Sequence, residues 1–282
     1  MRPGCSLLII FVLLFTALPV LCAEGAGLGE SLLLEGRLAL LRGETWMLSQ
    51  QNPDGSWQSD SAVTAQAGML LANSDTEYYA EQLQKTARWL QDHAKNRNSA
   101  GQFAQALRLS LRLNHPELTE LVKDFQSQKA AWDLQKEPFI SRQWLLEAHF
   151  LLPQELTLLS AKEVQQFQQD FLQEKDRYPA LALLTILSCG SSQVKPSELE
   201  VLRSACVKQS TSADPEDLFW IVRAMRASER FLPSNGKIWR SVIVSRVLEK
   251  QSGQGAFIGR DSAADLSATV FYLQILQLCL AP

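Results

Sequence analysis

Gln51-Asn-Pro-Asp-Gly55-Ser-Trp57 recurs 200 residues further on as Gln251-Ser-Gly-Gln-Gly255-Ala-Phe257, with glutamine, glycine and aromatic residue at the same spacing. An element copied within one chain implies a repeated structural unit. The flanks match too after a one-residue insertion, Asp60-Ser-Ala-Val against Asp261-Ser-Ala-Ala, and a weaker copy ends at Phe103 in "SAGQF". Five steps of roughly 40 residues cover the interval, a period that suits one helical hairpin per repeat. Within the element, Asn52 to Gly55 predict a tight turn, with Gly55 free to take positive φ. Trp57 is suited to cover the gap between neighbouring hairpins, and Gln51 to satisfy an orphan backbone group at a helix end. All three roles are structural.

From about Glu30 onward, apolar residues recur at helical spacing and no strand pattern is present. Turn-forming stretches such as "KNRNSAG", "NHPE", "STSADPED" and "QSGQGAF" divide this region into about twelve helices. Asp60, Asp214 and Asp261 stand where helix-capping acids belong. The helices alternate in character. "SAVTAQAGMLLAN" and "YPALALLTILSC" carry no charge, whereas "TEYYAEQLQKTARWLQDHAKN" and "SAKEVQQFQQDFLQEKD" are charged on one face. A helix apolar all round is buried on all sides, and an amphipathic one lies at the surface. The expected fold is therefore all-α: about six hairpins in two concentric layers, an α/α toroid forming one domain over residues 24–282, with the first helix of each pair outside. An open HEAT-like solenoid is the alternative, but it leaves every helix partly exposed and explains the uncharged ones less well.

Gln-x-x-x-Gly-x-Trp resembles the QW motif of the terpenoid cyclases. Through Gln51, Gly55 and Trp57, and less closely Gln251, Gly255 and Phe257, the chain is similar to the α/α-toroid superfamily. That group also contains protein prenyltransferase β-subunits, thioester domains and cobalamin carriers. The resemblance implies a complete ring of six hairpins. The signatures of its active members are missing: Asp-x-Asp-Asp, Asp-Asp-x-x-Asp and Gly-Cys-Gly-Glu-Gln do not occur. Prenyltransferases hold zinc with Asp, Cys and His, but His93, His115 and His149 stand far from any acid–cysteine pattern. No metal or other cofactor is expected. Cobalamin carriers bury their ligand against a second domain; none is expected after the last helix here, so cobalamin binding is not expected.

Net charge is −3 over 282 residues, with lysines and arginines scattered among the acids. That argues against a nucleic-acid partner and against a polybasic membrane site, both of which need a basic face. "MRPGCSLLIIFVLLFTALPVLCA" reads as a secretory signal peptide cleaved near Cys22 or Ala23. It is short for a membrane span and broken by Pro19. The mature protein is expected to be extracellular or in the secretory lumen, and free of the membrane. Cys189, Cys206 and Cys279 would remain, too few and odd in number for a disulfide scaffold. Cys279 reads as a buried thiol, and a Cys189–Cys206 bridge stays open.

Candidate carboxylates for acid–base chemistry are Asp60, Glu147, Asp217 and Asp261, since paired acids about 5–10 Å apart serve such work. Asp60, Asp217 and Asp261 are better explained as helix-terminal acids. Glu147, in "SRQWLLEAHFLL", has no such explanation, so Glu147 and Asp217 stay as the catalytic candidates. Arg223, Arg226 and Arg230 recur on one face of "DPEDLFWIVRAMRASERF", and Arg108 and Arg112 form a similar pair. These arginines read either as an anion-binding rim at the ring mouth or as an exposed helix. The favoured function is a secreted, non-catalytic protein that binds a small apolar ligand in the ring, or an extracellular protein on its rim. The alternatives are a cyclase-like or carbohydrate-active enzyme, which needs converging acids, and a pure interaction scaffold, which needs no closure.

Overall fold

The computed structural model describes residues 28–93, 99–116, 118–153, 155–188, 195–231, 238–259 and 264–281. The expected leader, Cys189 and Asp261 lie outside them. The described residues form twelve α-helices: α1 (Glu30–Ser49), α2 (Ser61–Ser74), α3 (Ala80–Asp92), α4 (Ala100–Arg112), α5 (Leu118–Lys129), α6 (Phe139–Leu151), α7 (Ala161–Gln173), α8 (Pro179–Ser188), α9 (Pro196–Gln209), α10 (Pro215–Ser228), α11 (Ile238–Leu248) and α12 (Leu266–Leu280). Extended pairing among them is limited to two isolated bridges, Gln251 with Phe257 and Ile258 with Ala264. No described helix is long and apolar enough to cross a membrane.

Burial follows the charge pattern. The even-numbered helices are enclosed: α2 buries Thr64 to Gly68 and Leu70 to Ala72, and α12 buries every residue from Ala268 to Leu276. Odd-numbered helices show one face to solvent, as on α1, where Leu34, Leu38 and Leu41 are exposed. The charge-rich α10 is an inner helix, with Leu218 to Val222 buried. Its arginines therefore belong to a polar end of the inner layer and not to an outer surface.

Inner helices touch in sequence, α2 to α4, α4 to α6, α8 to α10 and α10 to α12. Between α6 and α8 the contact runs through Phe139, stacked 4.8 Å from Tyr178. Trp144 of α6 also reaches α10 directly, 4.3 Å from Trp220 and 5.8 Å from Phe219 between ring centroids. The circuit then returns on itself, because α12 packs against both α1 and α2, and α11 against α1. An open solenoid leaves its first and last hairpins apart. Here Gln274 Nε2 donates to Gln66 O at 3.0 Å and Gln277 Nε2 to Leu70 O at 3.1 Å across that seam. Gly36 and Gly43 let α1 approach so closely that any side chain there would collide with Leu280 and Leu273.

The repeated element is the joint between hairpins. Gln51 Nε2 donates to Gly55 O at 3.1 Å and to Thr86 Oγ1 of α3 at 3.2 Å. Gln251 Nε2 donates to Gly255 O at 3.1 Å and to Ala39 O of α1 at 2.7 Å. Gly55 and Gly255 have φ of 93° and 97°, and both press on the backbone of the next outer helix. A Cβ on Gly55 would lie 2.5 Å from the Lys85 carbonyl carbon, and one on Gly255 would lie 2.5 Å from Arg42 O. The first loop thus joins hairpin one to hairpin two, and the last joins hairpin six back to hairpin one. Trp57 and Phe257 are fully buried.

Two details of the repeat are corrected. The partner of Asp60 is Asp265, not Asp261: each caps an inner helix and stands four residues before a threonine, Thr64 or Thr269, whose Oγ1 accepts from the aromatic residue's backbone N at 2.9 Å. The stretch between motif and cap is therefore five residues longer in the second copy, and the Ile258–Ala264 bridge falls within it. The "SAGQF" copy is no joint. Ser99 caps α4, and Gly101 and Phe103 lie inside that helix.

Gly255→Ala should lower unfolding free energy by roughly 2 kcal/mol or more, through positive φ and overlap with Arg42. Gly253→Ala, where a Cβ meets nothing within 4 Å, should change it by less than about 0.5 kcal/mol. Urea titrations of both variants decide; equal effects would contradict the packing of this loop on α1.

Candidate functional site

The inner helices run in the same direction, so their C-terminal halves gather at one mouth of the ring. Those ends carry the negative poles of the helix dipoles, where cationic side chains are favoured. Arg108 and Arg112 of α4 and Arg223 and Arg226 of α10 occupy that end. Glu147 of α6 faces two of them: Arg223 Nη1 is 2.6 Å from its Oε2, and Arg108 Nη2 is 3.3 Å away. Arg108 lies over the Trp144 ring at 4.5 Å, and Arg223 over Trp220 at 5.1 Å. Burial, opposed by Glu147 and reinforced by the charge of Arg223, lowers the Arg108 pKa to about 10. A second carboxylate, Glu229, takes Arg226 at 3.3 Å and Arg240 at 2.5 Å. Four guanidiniums thus meet two carboxylates, while Arg112 donates to Ala72 O at 3.3 Å.

Beside this network lies a recess of about 330 Å³, lined chiefly by Gln66 and Met69 of α2, Arg108 of α4, Phe219, Arg223 and Arg226 of α10, and Gln274, Gln277 and Leu278 of α12. Its lining is mixed: the arginines and glutamines make part of it cationic and polar, and Met69, Phe219 and Leu278 make the rest apolar. Phe219 continues from this lining into a stack with Trp144 and Trp220 between the inner helices.

Glu147 and Asp217 do not converge. Asp217 sits in the first turn of α10, its backbone N donating to the capping Asp214 at 2.9 Å, whereas Glu147 pairs with Arg223, six residues further along that helix. Six residues are about 9 Å of helix rise. Asp60 caps α2, accepting from Ala62 N and Val63 N at 2.8 and 2.9 Å. The side chain of Arg230 lies outside what is described.

His93 stacks on Trp89 at 4.2 Å, and His149 is half-buried with its pKa lowered by burial. His115 is at the turn after α4, its backbone N bonded to Ser110 O at 2.9 Å. No group of three His, Cys, Asp or Glu suited to a metal ion occurs among the described residues. Cys206 and Cys279 are buried free thiols; burial pushes the Cys206 pKa to about 12 and that of Cys279 higher still. Neither has the character of a reactive thiolate.

Two carboxyls escaped sequence reading. Glu44 of α1 is buried behind Gln277, bonded by Ser74 and by Tyr79 OH at 3.1 Å, and its pKa is raised by burial. Glu216 of α10 is raised to about 7 by burial, a shift partly offset by a hydrogen bond from Trp144 and increased by Asp214 and Asp217. In "DPED" every acid looks like a helix-terminal acid, and no local signal shows which one turns toward the aromatic centre. No protein-family model matches the chain, and no curated protein matches it.

Glu147→Gln leaves two guanidiniums uncompensated and should cost about 3–5 kcal/mol in urea unfolding. Arg223→Met leaves Glu147 still paired with Arg108 and should cost clearly less; the reverse order would contradict this network. Glu216 has a second consequence. Its folded pKa lies above the ordinary carboxyl value of about 4.3, so its stabilising protonation is complete below that value and lost as pH rises toward about 7. Glu216→Gln should match the wild type near pH 4 and exceed its melting temperature at pH 8, by roughly 1–2 kcal/mol of stability. A gain confined to acid pH would contradict the assignment.

Proposed function

We propose that this is a secreted binding protein, akin to the non-catalytic members of the α/α-toroid group, that holds a small molecule in its mouth pocket without transforming it. The observation that carries the reading is the recess itself, bounded by three arginines and three glutamines from inner helices. Sites with few, convergent polar groups and an enclosed volume of roughly 300–1,000 Å³ are the usual form of a ligand pocket. The separation of the two candidate acids supports binding over catalysis: Glu147 is held by Arg108 and Arg223, whereas Asp217 sits in the first turn of α10, six residues before Arg223. The cationic lining moves the expected occupant from an apolar molecule toward an anionic one. Secretion in this reading rests on the leader-like N-terminus.

A protein partner on the outer layer is the second reading. It is favoured by Leu34, Leu38 and Leu41, which are 59%, 50% and 60% exposed and fall at helical spacing on one face of α1.

Native mass spectrometry of protein taken from its own secretions should show a retained small molecule that Arg223→Met releases. Ligand-free wild type, or turnover of a glycan or polyprenyl substrate that Glu147→Gln abolishes, would contradict the reading.

A further inference from the structure

We propose that the occupant of the mouth pocket is a small carboxylic acid flanked by an amide, the arrangement of an N-acyl amino acid or of a peptide C-terminus. This rests on the binding role above and specifies its chemistry. Three features of the pocket converge on it.

The first is charge. Arg108 and Arg223 share a single carboxylate, Glu147, while Glu229 is engaged by Arg226 and Arg240. Arg108 is only 8% exposed, and its Nε has no hydrogen-bond partner. A buried guanidinium in excess of its counter-ions is costly, and a monoanion placed beside it removes that cost. A carboxylate suits the planar guanidinium fork, which it can accept from through both oxygens.

The second is a donor and an acceptor left over on adjacent helices. Gln66 and Gln274 are 3% and 5% exposed and line the same recess. Gln274 Nε2 donates to Gln66 Oε1 at 3.0 Å, which leaves Gln66 Nε2 and Gln274 Oε1 unpartnered. Buried polar atoms without partners are rare, and each costs about 1–3 kcal/mol until it is satisfied. Both atoms are sealed from solvent as they stand, so a ligand meets them through a rotation of the two terminal amides; an amide group then carries the complementary pair, a carbonyl for Gln66 and an N–H for Gln274. The third feature is shape. Met69, Phe219 and Leu278 form an apolar wall in the same recess, fit for an aliphatic side chain. Its volume of about 330 Å³ suits a molecule the size of one acylated residue.

The test is titration calorimetry on the full mature chain with N-acetyl-L-leucine. The acid should bind, N-acetyl-L-leucinamide, which lacks the carboxylate, at least tenfold more weakly, and 4-methylpentanoate, which lacks the amide, also about tenfold more weakly. Arg223→Met and Gln274→Met should each weaken the acid about tenfold, with melting temperatures recorded to show that the variants fold. Arg223→Lys, which keeps charge and loses the fork, should fall between. Equal binding of acid and amide, an acid affinity untouched by folded variants, or displacement by inorganic phosphate at matching concentration would overturn the proposal. A pentapeptide ending in free leucine separates the two sources: binding as tight as the acid assigns the site to peptide C-termini, and weaker binding to free acyl amino acids. If N-acetyl-L-leucine fails while a native ligand is still lost from Arg223→Met, the chemical class is wrong and the binding role stands.

Discussion

The joint that fastens the last hairpin to the first depends on a glycine allowed to sit against a neighbouring backbone. In each joint, a glutamine closes the loop by bonding the glycine's carbonyl, and the aromatic residue two positions on is driven into the layer between helices. The loop can then lie flat on the next outer helix, because no Cβ holds it away. Gly255 does this against Arg42 of the first helix, so the last hairpin is fastened to the first. The mouth pocket draws Gln66 from hairpin one, Arg108 from hairpin two, Arg223 from hairpin five and Gln274 from hairpin six. A pocket assembled across the seam exists only if that seam is shut.

The electrostatics follow from the same architecture. Hairpins repeated in one sense place the inner helices parallel, and parallel helices sum their dipoles at a common end. Arginines at that end answer the negative poles, and their planar heads rest on Trp144, Phe219 and Trp220. The aromatic stack excludes water from beneath the ion network, which strengthens the Glu147 contacts and makes any unpaired polar atom nearby expensive. The opposite ends of the inner helices carry acids, among them Asp60, Asp214 and Asp265, each holding backbone N–H groups.

Most of the fold was legible in the sequence because it is written in local terms. Turn residues, capping acids and the alternation of charged and uncharged helices are short-range signals. They specified twelve helices, two layers and the joints at Gln51–Trp57 and Gln251–Phe257. Register beyond a loop was not legible: Asp261-Ser262 imitates Asp60-Ser61, and only the hydrogen bonds of Thr64 and Thr269 identify Asp265 as the true counterpart. The site was half visible. The arginine spacing on α10 marked a polar face, yet nothing local shows that Arg108, 115 residues earlier, shares Glu147 with it. Glu44, Glu216, Gln66 and Gln274 were invisible for the same reason, since their character comes from burial by helices distant in the chain.

Closure of the ring is the claim on which joint and pocket both stand. Leu41 of α1 and Val242 of α11 are 60% and 53% exposed, on first and last hairpins that pack together. Spin labels at these two positions report their separation by double electron–electron resonance. Neighbouring helices lie about 8–10 Å apart between axes, so with label length added the closed ring predicts one narrow distribution below about 30 Å. A broad distribution beyond about 40 Å, the span of an open row of hairpins at that spacing, would contradict it.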